Sequence, residues 1–478
     1  MTATTTSTSD VTIDDVMRAR IIETLSSRFS GSIIGPGHAD YEQARKVWNG
    51  MIDKHPGLIL RCTNTADVVA AVNVAREFGL APAVRGGGHN VAGKAMSEGG
   101  LTIDLGGMRN VTVDPDRHLV HVDGGCLLGD VDAATSRHNL IVPAGIMSET
   151  GVAGLSLGGG IGWFSRKHGL TCDQFVELEV VLASGDVVRA SENEHPELFW
   201  ALRGGGGNFG VVTRFTFRAY DFGPMMRIGV ALYTVEEATS ALREYSAIYP
   251  TLDRNVGWHA ALKHDMPKLP FVPDELVGER LLMLITMWLD EADDPAGAEL
   301  IERLNSVGNP CVTAATQLPF AAGVQRIIDE EFADGHRYYT KEAHVANLAD
   351  EAIDRLVDFW RDMPMGGEVE IIGLGGAIGD VAEDATAFSN RQYLMWLNFA
   401  MSWDEPENDA DYMARTRAIV SDLKPWTGTG IYVNMLNLDE LDRVVEAYGQ
   451  DKYARLGAIK AQYDPANLFR ANYNITPR

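Results

Sequence analysis

The sequence predicts an α+β fold, with a first lobe of short strands and helices followed by a lobe of longer elements. Three observations carry this. Residues 54–223 alternate short β-branched runs with helical stretches and hold four glycine clusters. The elements lengthen from about residue 224, and the pattern changes again at about residue 425. A chain of 478 residues is about three times a common domain size of ~150, and it shows no internal repeat of fixed period.

Taken in order, residues 1–53 read as a tail and a helical lead-in that runs into a loop. TADVVAAVNVAREFG (65–79) predicts a helix: Thr65 caps it, Val68, Val72 and Ala75 share a face, and Gly79 closes it. APAVR is a short strand running into the loop GGGHN. LTIDL, VTVD and LVHVD are three more strands, and LLGDVDAATSRH is a helix. VELEVVLASGDVVRA is a hairpin that turns at Ser184-Gly185. HPELFWALR is a helix and GVVTRFTFRAY a strand. Beyond residue 224, a T-x-x-E box from Thr234 to Glu237 opens a helix, and RLLMLITMWL is a strand. A helix over about residues 348–363 precedes the strand EVEIIGLGG, and YLMWLNFAMSW is a long strand. One further helix ends at KPW. The last fifty residues hold GIYVNML, two amphipathic helices and YDPANLFRANYNITP.

Composition narrows the function. Apolar residues make up 45% and charged residues 22%, as in ordinary globular proteins. A net charge of −25 with no dense basic run argues against a nucleic acid partner. Cys62, Cys126, Cys172 and Cys311 form no C-x-x-C pair and have no histidine at metal-ligand spacing, so reduced thiols and no metal are expected. MTATTTSTSD lacks the basic and apolar regions of a secretory signal and reads as a disordered Ser/Thr tail. No apolar run reaches ~18 residues, so no membrane association is expected and the default location is cytoplasmic.

The glycine clusters are Gly86–Gly88, Gly124-Gly125, Gly158–Gly160 with Gly162, and Gly204–Gly207. Glycine lets backbone N–H groups approach a ligand closely, which suits a pyrophosphate. Gly205-x-Gly207-x-x-Gly210 has the G-x-G-x-x-G spacing, but a helix precedes it and a strand follows. The dinucleotide fingerprint needs the reverse order, so a Rossmann site is rejected. His89 directly follows the first cluster. A neutral imidazole there can attack the 8α-methyl carbon of a flavin, or simply hydrogen-bond a phosphate. Loop chemistry alone leaves both open.

Four motifs in order then carry a resemblance: RGGGHN (85–90), PAGIMSETGVAGLSLGGGIGW (143–163), GGGGNFGVVT (204–213) and YDPANLFRANYNITP (463–477). The set closely resembles the vanillyl-alcohol-oxidase/p-cresol-methylhydroxylase (PCMH-type) flavoproteins, in the berberine-bridge-enzyme-like branch that includes the bacterial 6-hydroxy-D-nicotine oxidase type. The resemblance implies a PCMH-type FAD-binding domain of two α/β subdomains at 54–223. It also implies a substrate domain at 224–424, an antiparallel sheet backed by helices over the isoalloxazine. Residues 425–478 would return to the FAD domain. The family's histidine, here His89, carries an 8α-histidyl bond to FAD. Arg85, Gly86, Gly87, Gly88 and Asn90 match the first motif's cofactor contacts. Gly145, Thr150, Gly151, Gly154, Gly159, Gly160 and Gly162 match the second motif, Val212 the third, and Asn472 and Asn474 the last. Members with a second link carry a cysteine where this chain has Met147, and Cys126 does not match that position, so a single covalent link is expected.

The resemblance also implies chemistry. Hydride would pass to flavin N5 from a C–H beside an amine or alcohol of a small substrate, with aromatic ones among the candidates. O2 would then be reduced to H2O2, and Thr150 would shape the oxygen pocket. Period-2 alternation puts Glu368, Glu370 and Ile372 on one strand face, and Glu370, with Glu368 second, is the expected base or amine-binding carboxylate. Solvated carboxylates on an edge strand are the plainer alternative. Tyr393, Met395, Leu397, Phe399, Met401 and Trp403 alternate as either a packed core face or an apolar substrate wall. Tyr432 and Asn434 match a motif near the flavin edge, where Asn434 would bond substrate. Asn472 and Asn474 could equally be structural amides. A dehydrogenase with another acceptor, a biosynthetic tailoring oxidase and a flavin-holding binding protein remain as alternatives. Oligomeric state is open, with a homodimer one candidate.

Overall fold

In the computed structural model, which describes residues 11–478, the β-branched runs of the first lobe sort into two main sheets. The expected tail at residues 1–10 lies outside the described residues. The first sheet has the order Ser32–Ile34, Leu58–Arg61, Leu101–Asp104, Ala83–Arg85. Its last three strands are parallel, and the first is antiparallel to its neighbour. Helix Thr65–Glu77 covers this sheet with Val68, Val72 and Ala75 fully buried. The cap differs from expectation. Asn64 is extended and its side chain accepts from Asp67 N at 2.9 Å, whereas Thr65 is the first helical residue and its hydroxyl binds Glu179 at 2.8 Å. Gly79 closes the helix at φ +67.

The second sheet has the order Val111–Asp114, Leu119–Asp123, Val211–Arg218, Phe175–Val181, Val187–Ser191, all antiparallel. The expected hairpin turns at Gly185, φ +90. Helix Pro196–Leu202 precedes the Gly204–Gly207 loop and strand Val211–Arg218 follows it, the order that ruled out a Rossmann site.

The third sheet has seven antiparallel strands. Their order is Val312–Pro319, Met225–Tyr233, Leu281–Trp288, Val256–Lys263, Gly366–Gly373, Met395–Trp403, Arg337–Val345. Helices Val235–Ile248, Asp350–Asp362 and Asp409–Leu423 pack on one face of it. That face is built from Trp258, Leu262, Val369, Ile371, Leu397, Phe399 and Met401. The alternating apolar row of the long strand is therefore core. Tyr393 lies before the strand, and the opposite row of Trp396, Asn398 and Ala400 faces away from the helices. Thr234 does precede its helix, but its side chain makes no cap bond, so the expected box is not formed.

Two buried polar clamps hold the lobes together. Arg166 donates to Tyr249 Oη and to the carbonyls of Leu252, Asp253, Val256 and Leu374 at 2.6–3.2 Å. Arg391 makes two bonds, of 2.9 and 2.7 Å, to Asp173. The carboxy-terminal segment returns to the first lobe through helix Gln450–Tyr463. Its fully buried Lys460 donates to the carbonyls of Asn208 and Phe469 at 2.8 and 2.9 Å and lies 3.1 Å from Asp464. Asn208 also donates to Tyr473 O and accepts from Ile475 N. Among the described residues no helix is long and apolar enough to cross a membrane, and no group of histidines, cysteines and carboxylates could hold a metal.

Candidate active site

Between the lobes lies a cavity of about 290 Å³. It is lined by the Gly86–Val91 loop, the segment from Ile146 to Ile161, the Gly205–Val212 loop, one face of the seven-stranded sheet, and the Tyr432–Met435 and Phe469–Tyr473 segments. All four glycine-bearing or carboxy-terminal motifs thus contribute to one space.

The chain turns from strand Ala83–Arg85 into the glycine loop, and no backbone N–H of residues 86–90 donates to an acceptor among the described residues. A run of free amides is an anion-binding nest. Two glycines make its close approach to the next segment possible. A Cβ on Gly87 would sit 2.4 Å from Gly151 N, and one on Gly151 would sit 2.2 Å from Gly87 N. Gly154 opens on free space. Asn472 packs on Gly206 and Gly207 across the cavity.

His89 borders this space. Trp48 stacks on its ring with centroids 4.4 Å apart, and Tyr338 stacks on the other face of Trp48 at 3.9 Å. Trp48 is itself fixed by Nε1 donating to Phe332 O at 2.7 Å. His89 Nε2 is buried with no hydrogen-bond partner among the described residues. Burial pushes the imidazole pKa down to about 4, so the ring is neutral and nucleophilic near pH 7. An imidazole nitrogen and a run of backbone amides, all without a partner among the described residues and all bordering one cavity, fit a nucleotide cofactor.

Opposite lies the sheet face. Glu370 pairs with Asn398, and Asn398 pairs with Glu342, in one row across three strands. Asn398 Nδ2 donates to Glu370 Oε2 at 2.6 Å, while its buried Oδ1 has no partner among the described residues. Burial raises the pKa of Glu370. Glu342 accepts from Trp396 Nε1 at 2.7 Å and from Tyr432 N, and burial pushes its pKa up to about 8. Tyr432 Oη accepts from Gly160 N at 3.0 Å and Asn434 Nδ2 at 2.9 Å, so its own proton has no acceptor among the described residues. Burial raises that phenol to about 12.

The cavity collects His89, Gly86, Gly87, Gly88, Asn90, Thr150, Gly151, Gly154, Val212, Glu370, Tyr432, Asn434 and Asn472. It does not collect Arg85, which donates to Ala44 O at 2.6 Å. Gly145, Gly159, Gly160 and Gly162 also lie outside its lining. They form a packed knot in which a Cβ on Gly162 would meet Ala144 O at 1.6 Å. Asn474 is outside too, with a buried and unpartnered Oδ1. Glu368 points to Lys263 instead, 2.5 Å away. The amide N–H groups of Asn434 are both spent, on Leu155 O and Tyr432 Oη at 2.9 Å each, so only Oδ1 is left for a ligand. Sequence reasoning did not find Trp48, Lys94, Asn208, Trp396 or Asn398, all of which line the cavity. The period-2 rule applied to the opposite face of YLMWLNFAMSW would have found the last two.

A glycine loop, a neutral histidine and an antiparallel sheet closing one side of the cavity define a class: proteins that hold a nucleotide cofactor between two lobes. Residues 56–191 match the FAD binding domain family, and residues 431–476 match the berberine and berberine like family. An FAD-linked oxidoreductase of Dictyostelium discoideum is 30% identical over 462 residues, covering 96% of this chain and 97% of the relative. Among solved structures, 6-hydroxy-D-nicotine oxidase from Arthrobacter nicotinovorans superposes with a TM-score of 0.79 at 25% identity, covering 94% of this chain and 98% of that one. Glucooligosaccharide oxidase from Acremonium strictum, whose FAD is 6-S-cysteinyl and 8α-N1-histidyl, shares the fold with a TM-score of 0.81 at 22% identity, covering 96% and 99%. The chain belongs to the PCMH-type, berberine-bridge-enzyme-like family of FAD-linked oxidoreductases, and it is an FAD-dependent enzyme.

Proposed function

We propose that this enzyme is an oxidase that holds FAD through one covalent bond to His89. In this reading residues 54–223 and 425–478 hold the cofactor, and 224–424 form the substrate lobe. The observation that carries it is the buried, neutral imidazole of His89 which, like the five backbone N–H groups of residues 86–90 around it, has a nitrogen without a partner among the described residues. Bound there, FAD supplies a hydride acceptor at N5 and the reactivity with O2 that yields H2O2.

The chain's own residues supply the rest. The Gly86–Asn90 amides bind the pyrophosphate, and Trp48 fixes the plane of His89. Only one link is expected, because no cysteine lines the cavity among the described residues. Met147 stands there instead. Cys126 lies elsewhere, its thiol bound to Asn110 O and pushed up to about 12 by burial. On the substrate side, Ile372, Trp396, Ile328 and Phe332 give an apolar wall for a small, flat molecule. Glu370 takes the N–H or O–H proton of an amine or alcohol, and Asn398 orients its carboxylate. Thr150 is a small side chain on the cavity wall, which leaves room for O2.

The test is acid precipitation of the purified holoenzyme. The pellet should stay yellow, whereas His89→Ala should release its colour to the supernatant. Wild-type colour in the supernatant sinks the covalent reading. Turnover without peroxide would replace oxidase by dehydrogenase.

A further inference from the structure

Behind Glu370, away from the cavity, lies a buried acid–base row that the reading above does not use. Lys263 ends strand Val256–Lys263 and pairs across the sheet with Glu368. Both side chains are 2% exposed. The ammonium donates to Glu368 Oε2 at 2.5 Å and to both oxygens of Glu331 at 2.8 Å. Glu368 and Glu370 are alternate residues on one strand face, close enough that Glu370 raises the pKa of Glu368. Glu331 is 20% exposed and lines a second, open pocket with His336, Asp404 and Glu405. Glu370 lines the inner cavity. The row therefore joins two separate spaces.

A structural ion pair explains this poorly. Burying charges costs several kcal/mol each, and one carboxylate would neutralise Lys263. Here two carboxylates contact it and a third stands beside them. Such a surplus suits proton movement, in which neighbouring sites must differ by one proton in turn.

We propose that the row Glu370–Glu368–Lys263–Glu331 is the proton exit of the cavity, with Glu331 the group that releases the proton to solvent. The proposal rests on the reading of Glu370 as the base. In each turnover Glu370 passes the substrate's proton to Glu368. Lys263 gives one of its protons to Glu331 and takes the one on Glu368. Glu331 then loses its proton to water or buffer. Every group ends as it began, and no electron moves along the row. Burial and the nearby Glu368 carboxylate raise Glu331 to about 7, against the pull of Lys263, which suits release near neutral pH. The other charged groups near it are Glu370 on the inner side, whose carboxyl it helps to raise, and His336, Asp404 and Glu405, which line the same outer pocket.

The test uses Glu331→Gln holoenzyme in single turnovers under nitrogen, with a pH-indicator dye and little buffer. Flavin bleaching and proton release should both slow, by at least about tenfold. KM should be unchanged, and added imidazole should restore the rate by carrying the proton. Infrared titration of the carboxyl bands should lose a group titrating near 7. Wild-type release in low buffer, or a loss that imidazole does not rescue, overturns the exit. Glu370→Gln separates the two readings. If it is fully active, the base reading fails and the exit with it. If it is inactive while Glu331→Gln behaves as wild type, the exit alone fails.

Discussion

At the residue scale, the environment of Glu370 decides its chemistry. A free glutamate titrates near ~4.3, but burial raises this one. As the proposed base it must be ionised to accept a proton, so activity should rise with pH through a limb above the usual carboxylate range. Glu370→Gln should remove that limb and lower kcat by roughly 10²–10⁴-fold, read from the pH profile of turnover. His89 titrates in the opposite sense. Burial depresses its free imidazole to about 4, so the unbonded ring is neutral and nucleophilic down to that value. His89 and Glu370, which line one cavity, were both singled out from the sequence, His89 by its glycine loop and Glu370 by strand alternation and the resemblance. Asn398 and Trp48 were not. Each acts through a partner distant in sequence, Asn398 on Glu370 and Trp48 on His89, and no local pattern encodes such a pair.

At the scale of elements, two loops press backbone to backbone at Gly87 and Gly151. A methyl group on Gly87 would fall 2.4 Å from Gly151 N, where no flexible side chain can yield. Gly87→Ala should cost about 1–3 kcal/mol and loosen the amide nest. The checks are urea unfolding and the fraction of protein that retains flavin. Strands and helices with clean periodicity were legible here, among them Thr65–Glu77 and Met395–Trp403. Val256–Lys263 and Arg337–Val345 were missed. Both carry polar residues, such as His259, Lys263, Lys341 and Glu342, that face buried partners rather than water, so neither shows the apolar/polar alternation of a half-exposed strand.

At the scale of the molecule, the lobes must hold their spacing for Glu370 and His89 to share one cavity. Arg166 is central to that. Its guanidinium satisfies four carbonyls and a phenol in the middle lobe from a short helix in the first. Arg166→Met should strand those acceptors and cost roughly 3 kcal/mol or more. Denaturant unfolding should show the loss, and limited proteolysis should cut between the lobes.

The sequence alone determined the class of fold, the glycine loops, the histidine and the strand that carries the glutamates. Each of these is a local matter of backbone freedom, side-chain period or motif order. Tertiary structure decided which face of Met395–Trp403 meets the cavity, that Glu368 turns to Lys263, and that Gly159, Gly160 and Gly162 pack closely against Phe388, Thr171 and Ala144. Those outcomes depend on what lies across a sheet or between lobes. One shift of register exchanges core for cavity, and nothing within the strand itself records which side will be covered.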